Sequence, residues 1–276
     1  MALIRMTMTS MCLKRSVQVN AYIPCDPMLM PGMVPPTGPW KTIYLLHGFL
    51  GGADQWLGSD KIGEISQLYN VAVIMPNGEN HFYVDAPFRG DRYGEFVGRE
   101  LVDFTRMLFP LSRKREDTII AGVSMGGYGA LLNGMKYNKT FGHVIGCSPA
   151  IIIDDINPHT YIATLTGQTT DAFYRSVFGE LEGIEQSDAS PRWLAAQMAK
   201  RGEEFPDIFW GCGYNDVLVE PSRTLDRDLT ELGIPHVYKE YPGTHEPLVF
   251  TPTLYDGLDR ILEKMPEMPN PFWKDA

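Results

Sequence analysis

Polar and apolar positions alternate through the N-terminal part of the chain, most clearly over residues 16–23 (SVQVNAYI). That period of two predicts strands with one solvated face, at an antiparallel edge of a sheet. Residues 24–39 are dense in proline and glycine and read as a loop. Beyond it the pattern changes to short continuous apolar runs at Thr42–Leu46 (TIYLL), 71–75 (VAVIM), Thr118–Val123 (TIIAGV), His143–Cys147 (HVIGC), 208–212 (IFWGC) and His236–Tyr241 (HVYKEY). The last is more polar, as an edge strand would be. Helix-like segments lie between them, at Lys61–Leu68, 95–108, 126–137, 222–232 and 252–265. Buried strands alternating with helices predict an α/β fold: a mostly parallel central sheet with helices on both faces.

One interval breaks this rhythm. Residues 151–206 hold no buried-strand run, only helical stretches near 170–178 and 190–201. They are expected to form a cap-like insertion over the carboxyl edge of the sheet, where open α/β sheets place their ligands. The length of 276 residues suits one domain, 1–276, carrying that insertion.

Composition narrows the classes of function. With 44% hydrophobic and 21% charged residues the chain is expected to be globular, and a net charge of -10 disfavours nucleic acid and anionic lipid surfaces as partners. The four cysteines, Cys12, Cys25, Cys147 and Cys212, are scattered without a C-x-x-C, matching neither a zinc site nor a disulfide scaffold. The N-terminus has no continuous hydrophobic segment, so neither a signal peptide nor a membrane span is expected. A cytoplasmic protein follows as the expectation.

The most informative stretch is DTIIAGVSMGGYGALLNGM, where a buried strand runs into Gly122-Val123-Ser124-Met125-Gly126 and then into a helix. This is G-x-S-x-G in the strand-turn-helix context that the motif requires. So tight a turn demands small residues at Gly122 and Gly126 and a strained backbone at Ser124, which lifts the hydroxyl above the sheet. The Met125 N–H, at the positive end of the helix, would face an oxyanion formed there.

A serine hydroxyl needs a base oriented by a carboxylate, in the chain order Ser, acid, His. Of the six histidines, His245 lies in YPGTHE, the loop after the last strand and before the final helix. His143 and His236 belong to strands and read as structural, and His159 falls in the insertion. For the acid, Asp216 follows strand 208–212 in the loop GYND, at a carboxyl end. Asp207 would lie at the opposite edge, and Asp226 and Asp228 read as a solvated helix face. A second oxyanion donor is expected from the Gly-rich loop His47-Gly48-Phe49-Leu50-Gly51-Gly52, through the Phe49 N–H, with His47 holding the loop by hydrogen bonding.

Together LHGFLGG, AGVSMGGYGAL, CGYND and YPGTHE, in this order, make the chain resemble the esterase D-like, or putative-esterase, group of α/β-hydrolases. That group includes tributyrin esterases, cinnamoyl or feruloyl esterases, acetyl xylan esterases and S-formylglutathione hydrolases. The segment PNGENHFYVDAPFRGDRYGEF resembles the tributyrin-esterase branch. The resemblance implies the α/β-hydrolase fold with a lid over the site, Ser124 as nucleophile, Asp216 as acid, His245 as base, and Phe49 with Met125 as oxyanion donors. It implies a serine esterase acting on small soluble esters, short-chain acyl or feruloyl, with neither metal nor cofactor. A thioesterase acting on S-formylglutathione is the alternative, and an inactive binding module a more distant one. Pro247 stands where the family often has an aromatic residue. Phe173, Tyr174, Phe178 and Trp193, with Tyr161, are candidate walls of the acyl pocket. The expected partner is a small-molecule ester, with neither nucleic acid nor membrane, and homo-oligomerisation is left open.

Overall fold

The computed structural model describes residues 1–25, 38–58, 61–153, 156 and 170–265. The N-terminal alternation forms a hairpin of β1 (Ala2–Ser10) and β2 (Arg15–Ile23), paired from Ala2 opposite Ile23 to Ser10 opposite Arg15. The apolar runs become β3 (Thr42–Leu46), β4 (Ala72–Pro76), β7 (Thr118–Val123), β8 (His143–Cys147), β9 (Asp207–Gly213) and β10 (His236–Tyr241), while β5 (Asp85–Ala86) and β6 (Asp91–Arg92) form a separate small ribbon. The main sheet has eight strands in the order β1-β2-β4-β3-β7-β8-β9-β10. From β4 to β10 every neighbouring pair is parallel, and β1 and β2 are joined on antiparallel.

The continuous apolar runs follow from burial of the sheet on both faces. Ile43, Leu45, Ile119, Ala121, Val123 and Phe209 point to one side, against Ile62 and Ile65 of α1 (Lys61–Leu68) and Leu254 and Leu258 of α8 (Pro247–Asp259). The alternate residues Tyr44, Leu46, Ile120, Val144 and Trp210 face α3 (Leu101–Leu108), α4 (Met125–Lys136) and α7 (Val219–Glu231). Each such side chain contributes about 1.5–3 kcal/mol by leaving water. A polar substitution in these strands would be costly on either face.

Some elements depart from the sequence expectation. The helix expected over 95–108 begins with a short α2 (Tyr93–Glu95) and carries a π turn at Phe96–Glu100, whose last residue ties down the β1–β2 turn: Ser10 Oγ and the Met11 N–H both donate to the Glu100 carboxylate. The final helix starts earlier than expected, at Pro247 in its first turn, and keeps Pro252 inside it. Pro252 has no N–H to offer, so the early start is set by the N-terminal proline and by the packing of Leu254 and Leu258.

Within 151–206 the described helices are α5 (Asp171–Phe178), capped by Thr170 Oγ1 accepting from the Phe173 N–H, and α6 (Pro191–Arg201), capped by Ser190 Oγ accepting from the Trp193 N–H. The lid expectation is corrected for α6. It packs on α4 and α7, on one face of the sheet, and buries Leu194 and Met198 in the core. Among the described residues of the insertion, α5 reaches the carboxyl edge, where Phe173 meets Phe49. His159 and Tyr161 lie outside the described residues. Among the described residues, no helix is long and apolar enough to cross a membrane.

Candidate active site

Strand register sets the site. Val123 pairs with Cys147 and Cys147 with Gly211, while Gly213 pairs with Tyr241, so the loops leaving β7, β9 and β10 emerge at one carboxyl edge. Ser124 follows Val123 directly, with φ 55° and ψ -116°, a conformation that costs an L-residue of order 1–3 kcal/mol. Its N–H donates to the Cys147 carbonyl at 2.8 Å, and its carbonyl accepts from the N–H groups of Tyr128 and Ala150, each at 2.9 Å. A Cβ on Gly122 would run into the Gly126 carbonyl, and one on Gly126 into the carbonyls of Leu46 and His47. The motif glycines are therefore a steric condition for the strained turn.

The glycine loop after β3 approaches from the neighbouring strand. A Cβ at Gly48 would lie 3.6 Å from the Ser124 Cβ. His47 is fully buried and its neighbours fix its tautomer: Nε2 accepts from the Gly78 N–H at 2.8 Å, so Nδ1 carries the proton and donates to the Gly48 carbonyl at 2.8 Å. Burial holds its pKa below the ordinary histidine value. Gln55 Oε1 accepts the Gly48 N–H at 3.1 Å. The Phe49 N–H has no partner among the described residues, and the Met125 N–H opens α4, where helix geometry supplies none.

At the other end of the site, Asp216 is buried and accepts twice, from His245 Nδ1 on Oδ2 and from the Leu218 N–H on Oδ1, each at 2.9 Å. Burial disfavours its charge, but the bond to His245, the charge that ring can carry and the Leu218 N–H prevail, and its pKa lies below the ordinary carboxylate value. The imidazole is thus held with its proton on Nδ1 and Nε2 as the basic atom. Two backbone bonds stitch the acid and base loops together: Tyr214 N–H to the Tyr241 carbonyl at 2.8 Å, and Asn215 N–H to the Gly243 carbonyl at 3.0 Å. Phe250 packs edge-on against the His245 ring at 5.0 Å. It supplies an aromatic wall from the first turn of α8, although Pro247 takes the position nearer the base.

The remaining candidates fall elsewhere. His236 stacks on Trp210 and bonds Asp226 at 3.0 Å, and His143 bonds the Glu116 carbonyl beside Asp207, both structural as expected. Asp226 is hydrogen-bonded to His236 and Asp228 is ion-paired with Arg192, where a merely solvated face was expected. Of the aromatic pocket candidates, Phe173 meets Phe49 edge-on at 5.6 Å, and Phe178 packs on Phe82 at 5.4 Å. Tyr174 is fully buried in the core and presents no surface to a ligand, and Trp193 lines a cleft with Arg192 and Asp228 between α6 and α7. Both are corrections: on α5 the turn carries residue 174 inwards when residue 173 faces the edge, and Trp193 belongs to α6, which packs on α4 and α7 away from that edge. Gln55, Phe250 and Asn80, whose Oδ1 accepts the Leu50 N–H at 2.8 Å, carry no motif of their own, but Asn80 falls in the segment resembling the tributyrin-esterase branch.

The family model "Putative esterase" matches residues 10–261. An acetyl esterase of Caldicellulosiruptor saccharolyticus is 40% identical over 249 residues, 89% of this chain and 92% of that protein. Among solved structures, an S-formylglutathione hydrolase from Staphylococcus aureus superposes with a TM-score of 0.80 at 22% identity, covering 95% of this chain and 99% of that one. A ferulic acid esterase does so with a TM-score of 0.70 at 19% identity, covering 95% and 97%. These two likenesses establish the architecture as the α/β-hydrolase fold.

Proposed function

The chain belongs to the Putative esterase family, and we propose that it hydrolyses small esters of short-chain acids through an acyl-enzyme formed on Ser124. It is a carboxylic ester hydrolase, as its acetyl esterase relative is. In the proposed cycle the Ser124 hydroxyl attacks the ester carbonyl as His245 Nε2 takes its proton, and Asp216 stabilises the imidazolium that results. The carbonyl oxygen becomes an oxyanion that accepts from the Phe49 and Met125 N–H groups. As the tetrahedral species collapses, the ester C–O bond breaks and His245 returns the proton to the leaving alcohol. Water then attacks the acyl-enzyme by the same route, releasing the acid and restoring Ser124.

The observation that carries this reading is the Asp216 carboxylate, positioned by the Leu218 N–H and accepting from His245 Nδ1 so that it selects the ring's tautomer, at the same sheet edge as a serine strained at φ 55°. The preference for short acyl groups draws on the 40% identity to an acetyl esterase. The free thiols of Cys12, Cys25, Cys147 and Cys212 support a reducing, cytoplasmic setting. A panel of acetyl, butyryl, feruloyl and formylglutathione substrates tests the proposal. The acetyl or butyryl ester is expected to give the highest kcat/KM. A clear preference for the feruloyl ester or the glutathione thioester would replace the substrate assignment, and no turnover of any of them would remove the reading.

A further inference from the structure

The segment 77–83 (NGENHFY), directly after β4, is not used by the nucleophile, acid, base or oxyanion donors. Its backbone is strained at three positions: Glu79, Phe82 and Tyr83 have φ of 47°, 51° and 54°. Such conformations persist only where the surroundings over-determine them. Here the anchors are visible. Asn77 Oδ1 accepts the Glu79 N–H at 3.1 Å, the Glu79 carboxylate holds Arg15 and the Tyr93 hydroxyl, and Asn133 Nδ2 donates to the Tyr83 carbonyl at 3.0 Å.

From this anchored base the segment reaches the glycine loop after β3 at three points. The Gly78 N–H donates to His47 Nε2, the Tyr83 hydroxyl donates to the His47 carbonyl at 3.1 Å, and Asn80 Oδ1 accepts the Leu50 N–H at 2.8 Å. The residues held form a turn, closed by the Gly51 N–H on the Gly48 carbonyl at 3.1 Å, with Leu50 at φ 62°. A turn with positive φ at its third residue takes glycine or asparagine there in preference. Leu50 therefore needs holding.

The effect on Phe49 follows from peptide geometry. In a trans peptide the N–H points opposite to the preceding C=O, so the Phe49 N–H is aimed by whatever fixes the Gly48 carbonyl: His47 Nδ1 and the Gly51 N–H. The next peptide plane, whose N–H is that of Leu50, is fixed by Asn80. Loss of that bond would let the central peptide of the turn rotate to relieve the strain at Leu50, shifting Gly51 and loosening its N–H bond to the Gly48 carbonyl, and with it the aim of the Phe49 N–H.

We propose that segment 77–83 is a brace for the oxyanion loop and that Asn80 is its positioning residue, holding the Phe49 N–H in the direction of the oxyanion through Leu50. This rests on the esterase reading above. The predicted signature is a loss of transition-state binding with ground-state binding kept.

The test compares wild type, Asn80→Ala and Asn80→Asp on a short-chain nitrophenyl ester. The Ala variant is expected to lose about 10 to 100-fold in kcat, with KM within about three-fold. Its affinity for a short-chain trifluoromethyl ketone, whose hemiketal oxygen occupies the same hole, should fall in step, while inhibition by the carboxylate product stays unchanged. Asp keeps the acceptor at a partly exposed position, where solvent screens the added charge, and should recover most of kcat. Unfolding midpoints identify a variant that has merely lost its fold, in which case the Asp variant alone decides by its analogue-to-product affinity ratio. Wild-type kcat in the Ala variant, or equal losses of analogue and product binding, overturns the brace. Failure of the wild type to turn over any ester would instead overturn the esterase reading.

Discussion

Asp216 holds His245 through a 2.9 Å bond while only 2% of its own surface reaches solvent, so the orienting group is shielded and the ring it orients is not. The native carboxyl has a depressed pKa because the His245 bond and charge, with the Leu218 N–H, outweigh burial. A depressed native pKa adds stability above the unfolded value and loses it as the pH falls through the native one. The stability gap between wild type and Asp216→Asn, followed by urea unfolding, should be full near pH 6 and shrink below about pH 4. A gap that ignores pH would mean that Asp216 is not ionised in the native state.

Turnover of Asp216→Asn should drop about 10⁴-fold, since an amide no longer selects the tautomer with the proton on Nδ1. Steady-state kinetics with the fold checked by circular dichroism measure this. A modest loss would assign the orienting role elsewhere.

Replacing Ser124 separates chemistry from strain. Ser124→Ala and Ser124→Gly should both lose roughly 10⁴ to 10⁶-fold in turnover and their labelling by a fluorophosphonate. The glycine variant, whose backbone adopts φ 55° freely, should be more stable than the alanine variant by about 1 kcal/mol. Equal stabilities would show that the turn stores no strain at this residue.

The Gly126→Ala variant should fail more severely than an ordinary helix substitution, because its methyl group would enter the carbonyls of Leu46 and His47. A loss of about 2–4 kcal/mol is expected, seen as a lowered unfolding midpoint. Gly134→Ala, whose added Cβ meets the side chains of Val144 and Ile120 first, is the milder comparison.

The aromatic residues of α5 should divide. Phe173→Ala is expected to change the acetyl-to-butyryl ratio of kcat/KM by roughly 10-fold, because its ring lies against Phe49. Tyr174→Ala should cost about 3–5 kcal/mol of stability with little effect on that ratio, since its side chain is buried. Trp193→Ala, in the cleft beside Arg192, should leave the ratio alone. A shifted ratio at Trp193 and none at Phe173 would reverse this placement.

What the sequence disclosed was whatever backbone alone dictates. The run TIIAGVSMGG carries strand, turn and helix in one stretch, so the position of Ser124 was legible from local sequence, and the fold adds the steric reason for its glycines, which meet backbone carbonyls. Asp216 was legible because it follows a strand with a continuous apolar run, and His245 because it lies in the loop between the last, more polar strand and the final helix. The aromatics of the insertion were not. Which of Phe173 and Tyr174 turns inwards depends on the rotation of α5 against distant elements, and a helix of that length shows little of this in its own pattern. Asn80 was hidden for another reason: its work is a bond to a backbone N–H thirty positions away, which leaves no spacing to read.

The placement of β10 has a consequence for how the molecule comes apart. It is one of the two edge strands of the sheet, opposite β1, partly exposed along most of its length, and His245 hangs from its end, whereas Ser124 leaves the interior strand β7. Edge elements open at lower free energy than the centre of a sheet. Mild urea should therefore unzip the base from the nucleophile before the core melts, giving a reversible loss of turnover at a lower denaturant concentration than the global change in tryptophan fluorescence. Endurance of the enzyme in use would then be set by the grip of one border strand, and reinforcing β10 would prolong activity without raising the melting point of the core.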